Sequence, residues 1–118
     1  MTIHIDSEFY NSLLEKEGVE YGVFDSTGVL ISHSKLLKEY LINPGGEEIL
    51  GQSLNFLLPE LVGYEENLDL VKQGFQDTLQ IERIHRYNLF GHEGYVTLRF
   101  RPKGDGLLLV VNAVTTEG

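Results

Sequence analysis

Val19-Glu20-Tyr21-Gly22-Val23-Phe24-Asp25-Ser26-Thr27-Gly28 is the stretch on which the fold turns. Valine and aromatic residues run into an acid, three turn-formers follow, and Val29-Leu30-Ile31 resumes the apolar character. β-Branched and aromatic side chains suit an extended, half-buried chain. An aspartate heading a turn accepts a hydrogen bond from the backbone two residues on, and glycine supplies a backbone angle that other residues resist. The spacing predicts a tight hairpin with strands at 19–25 and 29–34.

Upstream, Ser7 to Lys16 reads as a short amphipathic helix, capped by Asp6 or Ser7 and stopped by Gly18. Phe9, Tyr10, Leu13 and Leu14 form one apolar stripe on it. Full burial of each contributes about 1.5–3 kcal/mol, so the helix needs a surface to pack on. Downstream, 35–42 is a short helix ended by Asn43-Pro44-Gly45-Gly46, and 47–51 makes one or two turns closed by Gly51. Leu54 to Leu61 is an apolar helical turn broken at Pro59. Residues 65–77 make the clearest central helix, with Leu68, Val71 and Phe75 at spacings of three and four and acids in the first turn.

After Asp77-Thr78 the period changes to two. One strand runs from Leu79 to about Tyr87, with Leu79 and Ile81 alternating with Gln80 and Glu82. The next, 95–101, sets Val96, Leu98 and Phe100 on one face and Tyr95, Thr97, Arg99 and Arg101 on the other. A glycine-bearing loop at 88–94 and a turn at 102–106 flank it. The last run, Leu107 to Val114, is apolar at consecutive positions, so both faces need cover. The short helices between 35 and 77 supply one cover. The stripe Phe9/Leu13/Leu14, or a neighbouring subunit, supplies the other. Phe9, Tyr10, Leu13 and Leu14, with Leu108 and Val110, are therefore the candidate interface of a homodimer.

The 118 residues divide into an N-terminal helix (1–18), one domain (19–115) and the start of a linker or tail (116–118). A chain of this length buries roughly two-thirds of its unfolded surface, so a core forms without staples. No cysteine is present, which excludes disulfides, thiolate metal sites and cysteine nucleophiles and fits a reducing, cytoplasmic compartment. No apolar stretch approaches the roughly 20 residues that cross a bilayer, so no membrane insertion is expected. Eighteen acids against nine bases, net −9, argue against nucleic acid as partner. The charge is uneven: residues 1–77 hold fourteen acids and four bases, residues 78–118 four acids and five bases. Acidic solvated helix faces account for this, as does a strand half that meets an acidic helix of another subunit.

Helix, two strands, several short helices, a longer helix and three strands: this order resembles a PAS domain over about residues 19–115. The stretches that carry the likeness are Gly22-Val23-Phe24-Asp25-Ser26-Thr27-Gly28, Glu47-Glu48-Ile49-Leu50-Gly51-Gln52-Ser53-Leu54 leading to Leu57-Leu58-Pro59-Glu60, and Gly91-His92-Glu93-Gly94-Tyr95 ahead of Arg101-Pro102. The chain departs from the family at Ser32-His33-Ser34, where an Asn is frequent, and at Ala113-Val114-Thr115, where an Asp-x-Thr element is common. The resemblance implies an α+β fold, a five-stranded antiparallel sheet with short helices on one face and here the N-terminal helix on the other. It also implies a non-catalytic sensor or dimerisation module of signal transduction, as in two-component systems. Its last strand, through Ala113 and Thr115, would pass a signal to an effector not present in these residues.

Leu57, Leu58, Leu68, Val71 and Phe75, with Ile81 and Leu98, are the candidate lining of a ligand pocket; as a solid core they need no ligand. Without cysteine no cysteinyl flavin adduct forms, and 65–77 lacks the histidine that haem-binding relatives commonly place there. The cofactor stays open, since a noncovalent flavin or a small organic ligand needs no signature in an apolar lining. His85 and His92 bracket the 88–94 loop, but two imidazoles lack the further ligands that structural zinc takes. Arg83, Arg86, Arg99, Arg101 and Lys103 form a basic cluster on a sheet face, to pair with acidic helices within or between subunits, with an anionic ligand as the lesser alternative. The alternative is a small α+β ligand-binding protein or enzyme with a substrate cavity, for which Asp25 and His85 are the candidate pair.

Overall fold

The computed structural model describes residues 19–41, 48–89 and 92–115. The N-terminal helix with Phe9, Tyr10, Leu13 and Leu14, the breaker cluster 43–46 and the tail 116–118 lie outside the described residues.

Five strands, β1 (Val19–Phe24), β2 (Leu30–His33), β3 (Leu79–Leu89), β4 (His92–Lys103) and β5 (Gly106–Thr115), form one antiparallel sheet in the order β2-β1-β5-β4-β3. The last strand thus sits in the middle, beside the first. Between β2 and β3 run a 3-10 turn η1 (Leu37–Tyr40), helix α1 (Leu54–Leu57), a second 3-10 turn η2 (Pro59–Leu61) and helix α2 (Glu65–Lys72).

The opening hairpin forms as its residues dictate. Asp25 Oδ1 accepts from the Thr27 and Val29 backbone N–H groups at 2.9 and 3.1 Å and from the Thr27 hydroxyl at 2.6 Å, and Gly28 takes φ +83°. These donors hold the Asp25 carboxyl below its ordinary value of 3.8, the Thr27 hydroxyl foremost. A lowered folded pKa contributes stability above the unfolded value and loses it as pH falls through the folded one. The urea midpoint of the protein should therefore exceed that of Asp25→Asn at neutral pH, with the difference closing as pH drops below about 3.8. A pH-independent difference would remove the carboxylate from this account.

β2 is short, and its outer side is covered at its start. Leu30 donates to Gln52 O at 3.0 Å, Gly51 donates to Leu30 O at 2.9 Å, and Val29 and Ser53 form a bridge. Ser53 then caps α1, its hydroxyl accepting from the Phe56 N–H at 3.2 Å. As the sequence predicts, Pro59 breaks the 54–61 run, separating α1 from η2.

The central helix is shorter than its periodicity predicts, ending at Lys72 rather than at 77. Gly74 at φ +85° closes it: Gly74 donates to Val71 O at 3.0 Å and Phe75 to Leu70 O at 2.9 Å, a Schellman ending. Phe75 therefore lies past the helix and is 78% exposed, which corrects its place among the pocket-lining residues. The 35–42 helix contracts to the turn at 37–40, and the 88–94 loop narrows because β3 reaches Leu89 and β4 starts at His92.

One face of the sheet carries Phe24, Leu107, Leu109, Val111, Val96, Leu98, Phe100 and Leu79, all buried. Leu37, Tyr40, Leu41, Ile49, Leu54, Leu57, Leu58, Leu61, Leu68 and Val71 close over them as one core. β5 is two-sided, as its run of apolar residues predicts. Leu107, Leu109 and Val111 point to the helices, while Leu108 and Val110 lie half-buried on the opposite face.

Candidate functional site

Two surfaces of the sheet can do chemistry or binding. The first is the helix-covered inner face. Leu57, Leu58, Val71 and Leu98 are fully buried there, Leu68 is 7% exposed, and Ile81 packs on the same cluster half-buried. Of the seven predicted lining residues, all but Phe75 thus come together.

Charges enter this interior from two strands. Glu20 on β1 pairs with Val111 and shares its inward face. Its side chain is buried, and Oε1 accepts from the Leu36 N–H at 2.8 Å. Arg86 on β3 is buried too; its Nε donates to Tyr40 O at 2.8 Å and its Nη2 to Glu60 Oε1 at 2.5 Å. Glu60 Oε2 is buried and takes no hydrogen bond among the described residues. Burial pushes the Tyr40 phenol up, and the nearby charges of Glu20 and Glu39 add to it. Of the basic cluster, Arg86 turns into the interior, and its acidic partner, Glu60, comes from within the chain.

The register explains why. Ile81 pairs with Leu98 and Ile84 with Val96, so a bulge between them shifts the alternation by one. Ile84 and Arg86 then face inward, and His85 faces outward opposite Tyr95. Their rings meet edge to face, centroids 5.2 Å apart. His85 thus pairs across the hairpin with Tyr95, and Leu89 is the residue opposite His92.

The second surface is the outer face. Its rows run Val23–Leu108–Arg101, Tyr21–Val110–Arg99–Gln80 and Val19–Asn112–Thr97. Aliphatic and aromatic groups occupy the β1 and β5 end and bases the β4 end, where Arg99 Nε donates to Gln80 Oε1 at 3.0 Å. Val19 and Tyr21 are 7% and 3% exposed although they point away from the described helices. Ala113 and Thr115 continue β5 opposite Val96 and Gly94.

Asp25 and His85 are not brought together. Asp25 follows β1, His85 lies on β3, and β5 and β4 intervene, a separation on the order of 14 Å from strand spacing alone. Among the described residues no group of three or more His, Cys, Asp or Glu could hold a metal ion. Among the described residues, also, no helix is long and apolar enough to cross a membrane.

Sequence reading missed Glu20, and it named Arg86 in the basic cluster but missed its inward turn. Period-two alternation places Glu20 on the same face as Phe24, which is a legible signal. Arg86 carries none, because the bulge that turns it inward has no glycine or proline to mark it.

The chain matches no family model and no curated protein. Solved structures do match. The PAS domain of a protein from Colwellia psychrerythraea superposes with a TM-score of 0.63 at 19% identity, over 93% of this chain and 98% of that one. A sensory box sensor histidine kinase from Vibrio cholerae gives 0.58 at 18% identity, over 93% and 92%. The PAS domain of nitrogen regulation protein NR(II) from Vibrio parahaemolyticus gives 0.54 at 13%, over 91% and 97%. At these identities the likeness is one of fold.

Proposed function

We propose that this chain, which has the PAS fold, is a non-catalytic sensor and dimerisation module of signal transduction. The observation that carries the reading is the two-sided central strand. β5 meets the core through Leu107, Leu109 and Val111, presents Leu108 and Val110 on the other face, and ends at Thr115. A change in packing inside is thereby felt on the outer face and at Thr115, where an effector would attach. Similarity to a sensor histidine kinase and to the PAS domain of a nitrogen regulation protein supports that setting.

In this reading residues 1–18 lie as an amphipathic helix on the outer face. Phe9, Tyr10, Leu13 and Leu14 join Leu108 and Val110 in a homodimer interface. A small organic ligand in the interior would shift α2 against the sheet, and it acts only as far as it binds the two packings unequally. Absorbance and native mass spectrometry of the purified protein report ligand and subunit count together. The double change Leu13→Asp, Leu14→Asp should halve the mass seen in sedimentation while circular dichroism stays unaltered. An unchanged dimer mass with the fold intact would remove that helix from the interface.

A further inference from the structure

We infer that η1 is a detachable strap, held across the inner face of the sheet at its two ends by buried charges and able to lift while the sheet stays folded. The inference stands whether or not the interior takes a ligand.

Glu20 on β1 accepts the N–H of Leu36, the residue that starts η1, and Arg86 on β3 donates to the carbonyl of Tyr40, which ends it. Each charge suits its end, since a helix start leaves N–H groups unpaired and its finish leaves carbonyls. The two strands are separated by β5 and β4, so the turn spans the width of the inner face between two posts.

The backbone bonds at its boundaries are uneven: Leu37 donates to Ser34 O and Leu41 to Lys38 O at 3.4 Å each, long for N–H···O bonds, and Glu39 donates to Leu36 O at 3.0 Å. Below it, Leu37 Cδ2 would stand 2.8 Å from a Cβ at Gly22, so the strap lies directly on β1 where glycine gives it room.

The posts also make the lifted state accessible. A buried guanidinium stripped of its partner is costly, yet Arg86 keeps Glu60 when Tyr40 leaves. Glu20, uncovered, regains water. Opening gives up both charge-assisted hydrogen bonds and the burial of Leu37, Tyr40 and Leu41 while the five-stranded ladder stays paired. Lifting would uncover Gly22 and the inner face beside it, making the strap a door to the interior.

Native-state hydrogen exchange on the whole protein tests this. The amides of Leu36, Glu39 and Leu41 should exchange about tenfold or more faster than those of Leu98 and Leu109, with little dependence on low denaturant. Glu20→Gln, which keeps an acceptor but no charge, should speed the strap amides by about another tenfold with the sheet retained. Equal rates and equal denaturant slopes for strap and sheet amides in the unaltered protein would overturn the inference, even if the variant fails to fold. So would strap exchange unmoved by Glu20→Gln.

Discussion

Gly106→Ala is expected to destabilise the domain by about 3 kcal/mol or more, read as a lower denaturation midpoint at unchanged slope. A Cβ at this position would stand 2.0 Å from Phe24 O, 2.9 Å from the Asp25 carbonyl carbon and 3.0 Å from Asp25 Cα. Those atoms are backbone, so no rotamer change relieves the clash. The end of β1 and the start of β5 would have to part, and that junction feeds both the opening hairpin and the central strand. Gly104, two residues earlier, has nothing within 4 Å of its virtual Cβ and carries only its φ of +57°. Its change to alanine should cost about 1 kcal/mol. Equal losses at the two positions would show that β1 and β5 slide apart easily and that the close approach is not a constraint.

Arg86→Ala should cost a comparable amount, about 3–5 kcal/mol, because it strands a partly buried carboxylate and empties a core position together. The Glu60 side chain is 19% exposed and its Oε2 already lies buried without a hydrogen bond among the described residues. Losing the guanidinium takes the partner from Oε1 as well, and the Tyr40 carbonyl loses its donor. The double change Arg86→Met, Glu60→Leu should recover most of the loss, since an apolar pair of similar size leaves no charge to desolvate. Urea denaturation of the three proteins decides it. A loss below about 1 kcal/mol for Arg86→Ala would mean that water reaches the pair.

Much of the architecture was written in local chemistry. Asp25, Thr27 and Gly28 specify their turn by hydrogen bonds and backbone angle within five residues. The alternation Val96, Leu98, Phe100 names the inward face of β4 without ambiguity, and consecutive apolar residues from Leu107 require a covered strand. What stayed hidden depended on partners far along the chain. The length of α2 rests on whether Gly74 takes a left-handed angle inside a pattern that otherwise continues to Phe75. The inward turn of Arg86 rests on a bulge set by the pairing with β4. Glu20 finds its donor sixteen residues away, at Leu36. Side-chain type points to a face; it does not say which backbone group will be waiting there.

The segment that runs beside β2 has a consequence for how these molecules behave in a crowd. An uncovered sheet margin is a template on which other chains can stack, and proteins commonly block it with charge, proline or an overlying loop. Here Gln52 and Gly51 occupy the outward bonding positions of Leu30, and Gly28 O accepts the Leu54 N–H at 2.8 Å, so the leading end of that margin is already taken by the same chain. Stacking at that end would first require the 51–54 segment to peel away and α1 to lose its cap, which ties resistance there to a serine and a short loop.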